Sequence, residues 1–312
     1  MNARAFRLRG GACLILAAFL AACASNAPTA ATSAPAAPAP VSAPASASAS
    51  APSRAPRSHE LLDSVLWAQT AVEHDALCRQ AFALAASRVE QALKDTSWTA
   101  LPDQTGEYRS LLPAVVFDAD ETIIDNSEYE AELIARNVGY DVALFDDVWA
   151  PLARAKALPG AVEFTRWLRE KGVEPIVVTN RDEPSSKAPT LKNLVDLGFA
   201  IRPDGSTLFL REKAHPEWRD KAGRRAHVAK SYRVLLLVGD DLGDFVTVAG
   251  ADLAKRRQLA DERKDWWGVR WIVLPNPMYG SWERALYPAE VKDEKERLRL
   301  KTEALRAFTK EK

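Results

Sequence analysis

Sulfur is scarce in this sequence: three cysteines and two methionines among 312 residues. Three cysteines are too few for a disulfide framework, so a stapled scaffold is excluded. Net charge is absent as well. Lys+Arg and Asp+Glu both number 42, and no global basic field draws a nucleic acid polymer. The four histidines, His59, His74, His215 and His227, lack ligand spacing and read as structural or surface residues. No apolar run is long enough for a permanent bilayer span. What remains is 47% hydrophobic and 27% charged residues, an ordinary globular composition with material for a full core.

The chain opens with Arg4, Arg7 and Arg9, then a short apolar run from Gly11 to Ala22. A basic start, a run too short to span and small residues at its end describe a secretory signal peptide, residues 1–22. Leu20, Ala21, Ala22 and Cys23 resemble a bacterial lipobox, which implies lipidation of Cys23 and a membrane attachment through that lipid. Ala24 follows rather than Asp, which by the same resemblance favours the outer membrane of a Gram-negative cell. Of residues 27–56, 26 of 30 are Ala, Pro or Ser, so this stretch has no large side chain to bury. Residues 23–58 thus read as a lipid-linked, disordered tether, about 30 Å long on average as a flexible coil. Without Arg4, Arg7 and Arg9, 39 basic residues face 42 acidic ones, which says little about partners.

Globular sequence begins at 59 and runs to 312. Leu61, Val65, Ala68, Val72 and Ala76, then Leu77, Ala81, Ala85, Val89 and Leu93, repeat at helical spacing and predict one or two helices over 61–94. Cys78 falls in that stripe and reads as a buried structural thiol. Five short apolar runs follow: Ala114–Phe117, Pro175–Val178, Thr207–Leu210, Val234–Val238 and Trp271–Leu274. Runs apolar at every position suit strands buried on both faces. Helix candidates lie between them. Gly160–Lys171 is opened by Pro159 and closed by Gly172, and Thr190–Leu197 is closed by Gly198. The alternation predicts a doubly wound, mostly parallel α/β fold, whose ligand site lies beyond the carboxyl ends of the strands.

Chemistry-bearing residues collect at those ends: Asp118 and Asp120 after the first run, Thr179 after the second, Asp240, Asp241 and Asp244 after the fourth. Asp118 and Asp120 stand two apart at a strand end, where both can point to one side. Such a pair can divide labour, one ionised as nucleophile and one protonated as acid. An aspartate attacking phosphorus splits one hard displacement into two easier ones. The negative charge then calls for a divalent cation with oxygen ligands. Asp240 and Asp244, one helical turn apart, can face one ion. Thr179, then Asn180 and Arg181, offer a hydroxyl and amides to a phosphate oxygen, and a lysine is needed as fixed positive charge.

The motifs FDADET, the strand-end Thr179, a later lysine and GDDLGDF together resemble the haloacid-dehalogenase-like (HAD) phosphohydrolases. DADETIIDNSEY, LPGAVEF at Leu158–Phe164, the helical VLWAQTAVEHDAL and the lipoprotein start are similar to the class C acid phosphatases, bacterial lipoprotein nucleotidases. The resemblance covers roughly residues 61–290. It implies a HAD-like core at about 110–125 and 158–290, and a smaller, mainly helical cap from about 59–105 and 126–157. It implies Asp118 as nucleophile and Mg²⁺ ligand, and Asp120 as general acid/base with its backbone carbonyl on the metal. Asp240 becomes a direct ligand and Asp244 orders the metal's waters. Thr179 holds phosphate. Lys221 in DKAGR is the phosphate lysine, with Lys213 in LREK the runner-up; Asp241 stays outside the metal shell. Tyr129, Trp149 and Tyr279 stand where the family sandwiches a substrate ring, and Asn126 contacts the substrate or ties down its loop. Glu128 replaces a proline common in the family, which changes the local loop. The implied activity is Mg²⁺-dependent hydrolysis of small-molecule phosphomonoesters, nucleoside monophosphates foremost, by a chain that pairs as a homodimer. The alternatives are a phosphotransferase of the same fold and a non-catalytic nucleotide- or haem-binding surface lipoprotein. A dehalogenase needs only the first aspartate, so Asp120 favours phosphate.

Overall fold

The computed structural model describes residues 59–308. The leader at 1–22, Cys23 and the tether at 23–58 lie outside the described residues. Among the described residues, no helix is long and apolar enough to cross a membrane.

The helical stripe divides into α1 (Leu62–Thr70) and α2 (Val72–Lys94), because Ala71 turns to an extended conformation at ψ 124°. β1 (Leu112–Phe117), β2 (Ile124–Asp125) and α3 (Ser127–Arg136) follow. A π-helical turn, Leu144–Trp149, runs into α4 (Ala150–Leu152) and β3 (Lys156–Ala157). The remainder alternates: α5 (Ala161–Glu170), β4 (Glu174–Asp182), α6 (Lys187–Asp196), β5 (Leu208–Arg211), α7 (Lys221–Val228), β6 (Tyr232–Gly239), α8 (Leu253–Asp261) and β7 (Trp271–Val273). Two helices close the chain, α9 (Ser281–Arg284) and α10 (Glu294–Glu303).

All five apolar runs are strands of one parallel sheet in the order β5-β4-β1-β6-β7. The fold is therefore α/β and mostly parallel, as the patterning indicates. β2 and β3 pair separately, antiparallel. The sheet carries a core on each face. Val115, Phe117, Val177 and Leu210 join residues of α2, α5 and α6, while Ala114, Val116, Ile176, Val234 and Trp271 join Val228 of α7. This double burial is the physical reason the strands read as unbroken apolar runs. Each fully buried large side chain, such as Phe117, stabilises the fold by about 1.5–3 kcal/mol.

One boundary moves. Residues 72–94 pack against the sheet rather than forming part of a cap. Cys78, Phe82, Ala85, Val89 and Ala92 share the core of Val115 and Phe117, because the stripe continues unbroken through five turns. Cys78 is wholly buried there, and burial pushes its thiol up to about 12, so it stays protonated. After β1 the chain moves outward to β4 and β5, then returns to β6 on the other side of β1. That reversal opens a crevice between the tips of β1 and β6, and the chemistry lies there.

Candidate active site

Asp118 stands one residue past β1, its backbone N–H still tied to Val238 O at 2.9 Å. Asp240 stands one residue past β6, and Asp244 lies in the turn that follows. One carboxylate oxygen from each of Asp118, Asp240 and Asp244 lies within 4.8 Å of the others. The two strand tips therefore bring together what the sequence separates by more than a hundred residues. Asp240 is oriented from two sides: Thr122 Oγ1 donates to its Oδ1 at 3.0 Å, and Asn276 Nδ2 donates to its Oδ2 at 2.8 Å. Asp244 closes a capping box, its Oδ2 accepting from Asp241 N at 2.9 Å. Asp241 itself turns outward and accepts from Ser281 N and Oγ, each at 2.6 Å, so it anchors the 276–281 loop and not an ion.

Of the two candidate lysines, Lys221 is the one brought to the acidic cluster. Its Nζ sits 2.5 Å from both Asp118 Oδ1 and Asp244 Oδ1, and the side chain is buried, whereas Lys213 is exposed. The Lys221 ammonium is the partner of that buried Asp118 oxygen, through charge and a side-chain hydrogen bond. Lys221 is the first residue of α7, whose start Asp220 caps through Ala222 N at 2.8 Å. One turn on, Arg224 donates to Thr179 O and to Asn180 Oδ1 (2.6 Å). Arg225 donates to Asp244 O at 2.8 Å and Gly243 O at 3.0 Å. α7 thus ties the phosphate-side strand β4 to the acidic turn.

Asp120 turns away from this cluster. Arg181 Nη2 donates to its Oδ1 at 2.7 Å, Arg181 Nε lies 3.1 and 3.2 Å from its two oxygens, and Asn126 Nδ2 donates at 2.8 Å. The buried Thr179 hydroxyl approaches the same carboxylate at 3.4 Å. The sequence offers only the Arg181 amide to the site; the pairing of its guanidinium with Asp120 is new in the structure. The available signal is its spacing: Thr179 and Arg181 are two apart on β4 and so share a face. Asn180, between them, points out and is exposed.

The substrate-side aromatics divide. Tyr279 is half-buried and packs against Val65, Ala68 and Met278. Tyr129 does not offer a free ring: it is buried, its hydroxyl donates to Asp141 O at 2.8 Å, and Phe145 and Tyr140 meet it edge-on. The open ring of this group is Tyr140, 59% exposed. Trp149 is buried too, donating through Nε1 to Asn126 Oδ1 at 2.8 Å, and Asn126 is buried beneath it. Amphipathic position in sequence cannot separate a stacking ring from a packed one; burial does.

Residues 35–282 match the family model of the HAD superfamily, subfamily IIIB (acid phosphatase). The chain belongs to this family of acid phosphatases. Two structures of the class C acid phosphatase from Bacillus anthracis, one with tungstate bound, superpose with a TM-score of 0.70 at 32% and 31% identity. Each match covers 80% of this chain and 98% of that one. The protein is thus a class C acid phosphatase of the HAD superfamily, a phosphomonoester hydrolase.

Phosphatases of the HAD superfamily generally use a divalent metal, and the acidic cluster of this acid phosphatase fits one. The donors are all carboxylate oxygens, the set preferred by hard cations, and they converge from two strand tips within 4.8 Å of one another. The protonation pattern departs from the simple division of labour. Burial, opposed by Lys221 and aided by Asp244 and Asp120, pushes the Asp118 carboxyl up to about 7. Burial and the charges of Asp244 and Asp118 likewise raise Asp240 well above the carboxylate range. Asp120 goes the other way: burial works against it, but Arg181 and Asn126 hold it below that range. A cation held by these carboxylates would favour the ionised forms of Asp118 and Asp240.

Gly239 shows how tightly the acids are set. A Cβ there would land on the Asp244 carboxyl group. Gly239→Ala is expected to push Asp244 out and lower kcat/KM on the order of a hundredfold. It should also remove most of the melting-temperature gain on adding a divalent cation. Unchanged cation-dependent melting would show that Asp244 has no part in holding the ion.

Proposed function

We propose that this acid phosphatase hydrolyses small phosphomonoesters, nucleoside monophosphates foremost, with Mg²⁺ and through an aspartyl-phosphate on Asp118. The carrying observation is the convergence of Asp118, Asp240 and Asp244 within 4.8 Å of one another around Lys221. In this reading Asp118, Asp240 and Asp244, with the Asp120 carbonyl, hold Mg²⁺, which when bound neutralises charge on the phosphoryl oxygens. Thr179 through its hydroxyl, Asn180 through its backbone amide and Lys221 bind the phosphate. Asp118 Oδ attacks phosphorus as the ester P–O bond breaks, and Asp120 gives its proton to the departing alcohol oxygen. The ionised Asp120 then takes a proton from water, whose oxygen attacks phosphorus and frees Asp118 and inorganic phosphate. Because Arg181 keeps Asp120 ionised, the acid form grows as pH falls, which supports faster cleavage of alkyl esters in acid. The tungstate bound by the Bacillus anthracis relative is a tetrahedral oxyanion, as phosphate is, and supports the same site chemistry. A base stacked on Tyr279 or Tyr140 would add about 1–3 kcal/mol. The lipobox-like Leu20–Cys23 supports an enzyme anchored by lipid at the cell envelope.

Purified protein is expected to release phosphate from nucleoside 5′-monophosphates, to lose activity on chelation and to regain it with Mg²⁺. A radiolabelled substrate, quenched in acid, should leave a hydroxylamine-labile label on Asp118. Mg²⁺ affinity should weaken by about tenfold per pH unit, for each proton displaced, as pH drops below about 7 where Asp118 holds its proton. Turnover undiminished by chelation, or no label, would refute the reading.

A further inference from the structure

The carboxylate of Asp120 is gripped from the cap, not from the sheet alone. The π-helical turn Leu144–Trp149 places Phe145 and Trp149, four residues apart, both inward and buried. The Phe145 ring faces the Arg181 guanidinium, whose Cζ is 5.3 Å from the ring centroid. Trp149 Nε1 donates to Asn126 Oδ1 at 2.8 Å, and Arg181 Nη2 reaches the same oxygen at 3.3 Å. With its amide oxygen committed to these two donors, Asn126 must turn its Nδ2 toward Asp120, which it meets at 2.8 Å. The backbone N–H of Asn126 is held separately, by Glu121 Oε1 at 2.7 Å. Asn126 Nδ2 also reaches Glu121 Oε2 at 3.4 Å, but once the indole N–H is removed the amide oxygen keeps only the long contact from Arg181.

We propose that Trp149 is a positioning residue: through the Asn126 amide it sets the direction in which Asp120 presents its proton to the leaving oxygen. The inference rests on Asp120 acting as general acid. It assigns the cap a part in bond cleavage separate from covering the substrate. An acid matters most for a poor leaving group and least for a good one. A positioning role is therefore read from the ratio of two activities, and a general loss of structure does not produce it.

The experiment measures kcat/KM of the full protein with Mg²⁺ on a nucleoside 5′-monophosphate, an alkyl ester, and on p-nitrophenyl phosphate, an aryl ester. Trp149→Phe keeps an aromatic ring and removes the N–H. It is expected to lose about tenfold more on the alkyl ester than on the aryl ester. Asn126→Ala is expected to show the same bias at least as strongly, and it serves as the test if Trp149→Phe melts early. Equal losses on both esters, or no loss on either, overturn the proposal. Asp120→Asn separates the two levels. If it is biased against the alkyl ester while Trp149→Phe and Asn126→Ala are not, only the positioning role falls. If it shows no bias, Asp120 is not the acid and the positioning role falls with it.

Discussion

Asp118→Asn is expected to lose at least about 10⁴-fold in kcat on every phosphomonoester while the protein stays folded. The amide has nearly the same shape but no nucleophilic oxygen anion, and it offers a weaker donor to a cation. Stability should not suffer, for a reason visible in the site. The Asp118 carboxyl is almost wholly buried, and burial has pushed it up to about 7 against the pull of Lys221. A carboxyl raised in the folded state binds its proton more tightly folded than unfolded. Its contribution to stability is therefore present at low pH and lost as pH rises from about 4, the unfolded value, to about 7. Asparagine has no such loss. In chelator, the melting temperature of the variant should gain on that of the parent between pH 4 and pH 7. Turnover within tenfold of the parent would remove Asp118 as nucleophile.

The second large effect belongs to Lys221. Its ammonium is the cation that touches both Asp118 and Asp244, 2.5 Å from each, in a buried site. Lys221→Met leaves three carboxylates facing one another. Breaking a buried pair by removing one partner costs about 3–5 kcal/mol, which for a domain of this size lowers the melting temperature by roughly 10 °C. Mg²⁺ should recover most of that loss, since it supplies positive charge at the same place. It should not recover activity, which falls on the order of 10³-fold because the phosphoryl group loses a fixed donor. Lys213→Met, on the exposed side, should change melting by no more than about 0.5 kcal/mol in equivalent stability. Thermal melts with and without Mg²⁺, beside kcat/KM, decide it. Equal behaviour of the two variants would mean that Lys221 is a mere surface charge.

Much of this site was legible before any coordinates. Asp118 follows an apolar run directly, Asp240 after one glycine and Asp244 in the turn beyond, and the apolar run of a strand buried on both faces gives way to polar residues at its carboxyl end. The position of the acids relative to the sheet was therefore written in hydropathy. The same logic reached Thr179 and the amides of Asn180 and Arg181 but not the Arg181 guanidinium, because a strand-end arginine reads as a solvated charge unless its partner is known. Its partner, Asp120, lies 61 residues earlier. Tyr129 and Trp149 failed in the opposite sense. Both sit in the right stretch to touch a substrate, yet one bonds to Asp141 O and the other to Asn126, and neither ring is free. The π-helical turn that buries Phe145 and Trp149 together has no period that an α-helical template would detect.

The sequence by itself determined the strands, the order of the acidic motifs along them and the residue types able to hold phosphate and a hard cation. These depend on local patterning, on which side chains can be buried and which must stay near water. Only the tertiary structure decided the pairings: Lys221 rather than Lys213, Arg181 on Asp120, Asn276 on Asp240, Trp149 on Asn126. Each joins segments that are remote along the chain or set by an irregular turn. Charge and hydrogen-bond partners act through distance in space, and that distance is fixed only when the parallel sheet brings its strand tips together.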